Sequence, residues 1–269
     1  MTRIADRFGA LDGTGRKALI PYLTAGDPGP EATVGLMHTL VASGADLLEV
    51  GVPFSDPQSD GPVIQDACQR ALEKGVTLRH VLDMVAKFRE DDADTPIVLM
   101  GYTNPVEAMG SEAFAQAAAD AGVDGVIMVD LPPEEAEELI DELVRRDIDP
   151  IFLVAPTTAS ERMARICGAA RGFVYYVSLK GVTGAATLAH DEIAGKLAEI
   201  RSHTDVPIGV GFGIRDAESA ARIGAYADGV VVGSAVVSRI AEHGNDPQAL
   251  DRELRSFVGS LRAALDQVA

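Results

Sequence analysis

Short apolar runs rich in β-branched residues alternate with stretches of helical periodicity along the whole chain, and this restricts the fold more than any other feature. Eight runs stand out: Ala18 to Leu23, Leu47 to Val50, Ile97 to Gly101, Gly125 to Val129, Ile151 to Val154, Phe173 to Val177, Ile208 to Gly211 and Gly229 to Val232. Between them, segments such as Thr77 to Glu90, Pro133 to Arg146 and Ser160 to Ala169 show helical spacing and capping residues. This succession implies parallel strands joined by right-handed helical crossovers. The continuously apolar runs imply a sheet covered on both faces. Three runs share a lead-in that ends in aspartate: Ser43-Gly44-Ala45-Asp46, Ala121-Gly122-Val123-Asp124 and Ala225-Tyr226-Ala227-Asp228. Their spacing is too irregular for a solenoid and compatible with barrel units. Eight strands with eight helices predict an α/β fold, a (β/α)8 TIM barrel, as one domain over residues 1–269. A doubly wound open sheet is the alternative, although its dinucleotide fingerprint after the first strand is missing.

The N-terminus, Met1 to Phe8, lacks a hydrophobic signal core and reads as an extra short amphipathic helix. No apolar run approaches the ~20 residues of a membrane span, and the expected location is the cytoplasm. The net charge of −18, from 41 acidic against 23 basic residues, disfavours nucleic-acid and anionic membrane surfaces. An anionic substrate therefore needs a local binding device. Much of the acid, as in Asp130 to Asp149, looks like solvated helix face. Cys68 and Cys167 fall in predicted helices and are expected to be buried free thiols. The five histidines form no metal-ligand spacing with one another or with the cysteines, so no metal is expected.

In a barrel of this kind, chemistry sits on the loops at the C-terminal ends of the strands. Glu49 ends the second run, and a carboxylate emerging from a buried strand is costly unless it is paired, hydrogen-bonded or used in proton transfer. Asp60 lies on the following turn-rich loop, long enough to fold back over the strand end. Two carboxylates in differently polar surroundings can serve as separate acid and base. The plainer alternative is a helix-capping Asp60 and a structural, hydrogen-bonded Glu49. After the seventh run comes Gly209-Val210-Gly211-Phe212-Gly213-Ile214, and after the eighth Gly233-Ser234-Ala235-Val236. Small residues at these two strand ends suit a phosphate held by backbone N–H groups. The loop from Ser178 to Thr187 suits a mobile lid. Lys180 within it invites a Schiff-base reading, but a lysine among glycines beyond the strand is more simply a loop residue.

Taken together, these segments resemble the tryptophan synthase alpha chain family. The resemblance rests on Glu49-Val50-Gly51-Val52-Pro53-Phe54-Ser55-Asp56-Pro57-Gln58-Ser59-Asp60-Gly61-Pro62, with Tyr22 to Pro28, Met100 to Pro105, Asp130 to Glu135, Gly181 to Gly184 and Gly211 to Ile214 in order along the chain. It implies a barrel that cleaves indole-3-glycerol phosphate to indole and glyceraldehyde 3-phosphate, in the last steps of L-tryptophan biosynthesis. It also implies a pyridoxal-phosphate-dependent beta chain as partner in an alpha2-beta2 heterotetramer, with no cofactor in this chain. Catalysis falls to Glu49 and Asp60. Phosphate falls to backbone groups around Gly184, Phe212, Gly213, Gly233 and Ser234, without a dedicated arginine or lysine. The indole ring falls to Tyr22, Met100, Ile127, Val129, Leu153 and Tyr175, near strand C-terminal ends, and Thr183 to the lid. Pro53 to Gln58, Asn104 to Met109 and Asp130 to Pro133 are expected on the face that meets the partner. Ser59 departs from the family, where a small apolar residue, usually alanine, is expected. Two alternatives stand beside this reading: another phosphate-sugar barrel enzyme, and a non-catalytic activator of a partner enzyme.

Overall fold

The computed structural model describes residues 2–177, 186–211 and 213–268, without the side chains of 186–191. Helix α1 (Arg3–Asp12) precedes strand β1 (Ala18–Thr24), α2 (Pro30–Ala42) and β2 (Leu48–Gly51). Then come α3 (Pro62–Glu73), α4 (Leu78–Arg89), β3 (Ile97–Gly101), α5 (Thr103–Met109), α6 (Ser111–Ala121) and β4 (Gly125–Met128). The chain continues through α7 (Glu137–Val144), β5 (Asp149–Pro150), β6 (Leu153–Val154), α8 (Ser160–Ala169) and β7 (Val174–Val177). It ends with α9 (Ala186–Arg201), β8 (Ile208–Gly211), α10 (Ala217–Gly224), β9 (Gly229–Val232), α11 (Ser234–His243) and α12 (Pro247–Leu265).

All strand pairs are parallel, in the order β5-β4-β3-β2-β1-β9-β8-β7-β6. The two ends of that order are consecutive in the chain, so the sheet closes on itself. Among the described residues the eight runs become nine strands, because the fifth barrel position is divided: β5, just before the run Ile151 to Val154, pairs only with β4, and β6, within that run, only with β7. Ile151 N–H donating to Val126 O (2.9 Å) and Tyr175 N–H donating to Phe152 O (3.0 Å) carry the closure across the gap. The Pro133 to Arg146 segment becomes helical only from Glu137, since residues 133–135 form a turn. Cys68 and Cys167 are buried, on α3 and α8. None of the helices, among the described residues, is long and apolar enough to cross a membrane.

The three lead-in aspartates do one job. The N–H of Asp46 donates to Leu19 O (2.9 Å), while its Oδ2 accepts from Leu19 N (2.9 Å). Asp124 holds Ile97 in the same way (2.9 and 2.8 Å), and Asp228 holds Ile208 (3.0 and 2.8 Å). Each carboxylate also takes an arginine: Arg262 for Asp46, Arg3 and Arg89 for Asp124, Arg201 for Asp228. These clamps pin strand starts in register at the N-terminal end of the barrel, where burial of a carboxylate is tolerable because every clamp is hydrogen-bonded and paired.

Helix α1 closes that same end. Its buried face, Ile4, Phe8 and Leu11, packs with Ile20, Leu47, Val98, Ile127, Ile151, Phe173 and Val231 inside the barrel. Each such side chain contributes roughly 1.5–3 kcal/mol by leaving water. Thr2 Oγ1, which accepts from Ala5 N as the helix N-cap, donates to Asp149 Oδ2 (2.6 Å) and anchors the plug to β5.

Candidate active site

Side chains two apart on a strand face the same way. Along the barrel interior this converts each core residue into a neighbour nearer the mouth: Ile20 is followed by Tyr22, Leu47 by Glu49, Val98 by Met100, Ile151 by Leu153 and Phe173 by Tyr175. The second of each pair lines a cavity of about 1260 Å³ at the C-terminal ends of the strands. Val129 and Val231 add to its wall, as do Asp60, Ile64, Gly213, Gly233 and Ser234 from the loops and helix starts above. Five of the six expected ring contacts therefore border one cavity. Ile127 does not; it is fully buried one step deeper, in the interior cluster above the α1 plug. Gly184, Phe212 and Thr183, with Lys180, lie outside the described residues.

Two aromatic rings fit across this mouth only because their neighbours have no side chain. A Cβ on Gly51 would stand 2.0 Å from Tyr22 Oη, and one on Gly211 would stand 2.2 Å from Tyr175 Oη. Gly213 has φ +77°, a left-handed conformation that turns the backbone of the β8 loop and favours glycine.

Glu49 is 1% exposed, and its Oε2 is buried without a hydrogen-bond partner among the described residues. Burial, reinforced by the nearby negative charge of Asp60, pushes its carboxyl up to about 8. At neutral pH it holds a proton at the base of the cavity. Asp60 is less enclosed. Burial raises its carboxyl too, but a hydrogen bond from Tyr102 opposes the shift. Burial also pushes the Tyr22 and Tyr175 hydroxyls well above their ordinary value, so both remain neutral donors.

Tyr102, absent from the sequence-based site, organises the Asp60 loop. Its Oη donates to Asp60 Oδ2 (3.0 Å) and accepts from Ser59 N (3.1 Å), while its ring stacks on Phe54 at 5.1 Å. The Ser59 contact is made by the backbone, so serine in place of alanine leaves it intact. Gln65 Nε2 on α3 donates to Asp60 O (2.8 Å) and fixes the loop from its other side. Thr103, next to Tyr102, donates to Asp130 Oδ1 through both its backbone N–H and its hydroxyl (2.8 Å each). The loops after β2, β3 and β4 are thereby tied to one another. Tyr102 stands one residue beyond β3, in the segment Met100 to Pro105 that carries part of the resemblance, but nothing in the sequence shows which way its hydroxyl reaches.

A buried carboxyl thus shares a cavity with a second carboxylate, apolar strand-end side chains and glycine-rich turns. The family described as tryptophan synthase alpha chain matches residues 8–266. The chain belongs to that family. It is 65% identical to the tryptophan synthase alpha chain of Thioalkalivibrio sulfidiphilus, over 99% of this chain and 100% of that one. It is 61% identical to the alpha chain of Alkalilimnicola ehrlichii, over 100% and 98%. Its structure is similar to that of tryptophan synthase subunit alpha from Legionella pneumophila, with a TM-score of 0.92, 43% identity and 99% of both chains covered. A tryptophan synthase structure from M. tuberculosis aligns with a TM-score of 0.88 and 38% identity, over 98% and 99%. As a tryptophan synthase alpha chain the protein is a carbon–carbon lyase of tryptophan biosynthesis that cleaves indole-3-glycerol phosphate to indole and glyceraldehyde 3-phosphate. The family also implies a beta-chain partner, to which pyridoxal phosphate belongs.

Proposed function

We propose that Glu49 and Asp60 divide the chemistry of this cleavage between them. The observation that carries the assignment is the buried carboxyl of Glu49, with an unpartnered oxygen and a raised pKa, in a cavity lined by Tyr22, Met100, Val129, Leu153 and Tyr175. Cleavage requires a proton on the ring carbon that bears the glycerol chain, and loss of a proton from the adjacent side-chain hydroxyl. Glu49 starts as the acid, protonates that carbon, and as a carboxylate then takes the hydroxyl proton while the carbon–carbon bond breaks and the aldehyde forms. The cycle returns Glu49 to its starting state. Asp60, ionised, accepts the indole N–H and stabilises the positive charge that builds there. Tyr102 occupies one of its oxygens and leaves the other for the ring.

Asp60→Asn keeps the shape of the loop and removes the charge. It is expected to lose most indole formation while binding glycerol 3-phosphate as tightly as the wild type, which calorimetry can measure. Loss of glycerol 3-phosphate binding would instead make Asp60 an organiser of the whole site.

The phosphate is assigned to backbone N–H groups around Gly213, Gly233 and Ser234, completed by Gly184 and Phe212. Ser234 begins α11, so an anion there gains from the helix dipole. Gly213→Val places a branched side chain at a positive φ beside the anion. Substrate KM is expected to rise by more than tenfold, against a thermal midpoint lowered by only a few degrees.

Partner docking is assigned to the linked loops Pro53 to Gln58, Asn104 to Met109 and Asp130 to Pro133, in a cytoplasmic alpha2-beta2 assembly. Indole is apolar and would diffuse away, so a beta chain covering the mouth retains it. Movement at Phe54 passes to Tyr102 and from there to Asp60, so docking should raise turnover. Titrating the chain with a beta chain from the same source, while following indole release, tests the function and the coupling together. Absent indole formation at every ratio would refute the assigned chemistry, and unchanged turnover with no complex would remove the partner.

A further inference from the structure

Beyond Gly213, Gly233 and Ser234, the cavity wall continues onto α10 and α11 through Arg222 and Ser238. Arg222 is a cation with little to hold it. Its side chain is 32% exposed, and its ion-pair partner, Glu218, is 81% exposed and lies 3.6 Å from Nη1. A pair so open to water is weak. Its Nε is buried and has no hydrogen-bond partner among the described residues. An unsatisfied buried donor is costly, and a charged one more so. Asp216, the other nearby acid, has its carboxylate engaged by Ser219, through the backbone N–H (2.8 Å) and the hydroxyl (2.7 Å). In the same cavity, a chain of net charge −18 must attract a phosphate dianion.

We propose that Arg222 is a substrate-binding residue that supplies positive charge to the phosphate end of the cavity, so that the anion is not held by backbone groups alone. This rests on the assignment of the phosphate to Gly213, Gly233 and Ser234. Arg222 sets affinity for the phosphorylated end of the substrate and takes no part in proton transfer at Glu49. Its Nε–H and forked N–H groups suit phosphate oxygens better than a lysine ammonium would, but the charge is shared by both residues.

The test is calorimetric titration of the full chain with glycerol 3-phosphate, and separately with indole, at low and high salt. Wild type, Arg222→Gln and Arg222→Lys are compared. Arg222→Gln should bind glycerol 3-phosphate about tenfold more weakly, with a shallower salt dependence and unchanged indole binding. The KM for indole-3-glycerol phosphate should rise by a similar factor with little change in kcat, and Arg222→Lys should recover most of the loss. Unaltered affinity and salt dependence in Arg222→Gln would overturn the proposal. So would equal losses in both variants accompanied by a lowered thermal midpoint, which would make Arg222 structural. Wild type binding indole but not glycerol 3-phosphate at low salt would overturn the phosphate assignment itself, and this proposal with it.

Discussion

Glu49→Gln is expected to reduce indole formation by roughly 10²–10⁴-fold, because the amide keeps the shape of the side chain and cannot exchange a proton. The same substitution should stabilise the folded chain at neutral pH. The carboxyl stands at about 8 in the folded chain against 4.5 in a model peptide. Below pH 4.5 both states carry the proton and the group contributes no difference. Between 4.5 and 8 the folded chain retains a proton that the unfolded chain has released, so wild-type stability falls as pH rises through that window. Glutamine removes this penalty, which is worth on the order of 1–3 kcal/mol at pH 7 once the amide's own unpaired end is counted. Urea unfolding of both proteins at pH 4.5, 7 and 8.5 measures it. In the wild type, kcat/KM should decline above about pH 8, as the free enzyme loses the proton needed for the first step. Near-normal turnover in a folded Glu49→Gln chain would reject the catalytic assignment, and a stability gap that ignores pH would reject the raised carboxyl.

The second large effect is purely structural. Asp124→Ala is expected to lower stability by about 3–5 kcal/mol while sparing cleavage at permissive temperature. Asp124 is 4% exposed, and its carboxylate receives Arg3 Nη1 (2.7 Å), Arg89 Nη2 (2.6 Å) and Ile97 N (2.8 Å). Removing it leaves a guanidinium that is 11% exposed and a strand N–H without an acceptor. The loss should fall near 3 kcal/mol, because Arg89 keeps the carbonyls of Gly122, Asp92 and Thr95. Asp124→Asn, which can still accept from Ile97, should cost less. Denaturant midpoints for the two variants, with indole formation measured alongside, separate stability from activity. A loss below 1 kcal/mol in Asp124→Ala would show that the clamp does not hold β3 in register.

The parallel barrel was legible because a strand buried on both faces must be apolar throughout, and eight such runs survive in the sequence. Glu49 was legible for the converse reason: a carboxylate in such a run has no cheap structural excuse. The repeated aspartates were visible as a pattern, but their role depends on an N–H at the start of the neighbouring strand, which no local rule supplies. Ile127 and Val129 differ by one pleat in depth, and the sequence does not say where the packed interior ends and the cavity begins. Tyr102 and Arg222 act through hydroxyl and guanidinium groups at the end of long side chains. Their reach is set by tertiary packing, so residue type alone could not single them out.

The divided fifth strand has a mechanical consequence. A closed cylinder has no edge, so its integrity is that of its weakest seam. Here β5 and β6 grip their neighbours over two residues each, whereas β3 is joined to β2 and to β4 over four. Because residues 151 and 152 join β5 to β6 through the backbone, the cylinder opens only where β5 leaves β4 or β6 leaves β7. Opening of the barrel is therefore expected to begin with the loss of one of these two short pairings, while the longer ladder from β4 through β1 to β9 still holds.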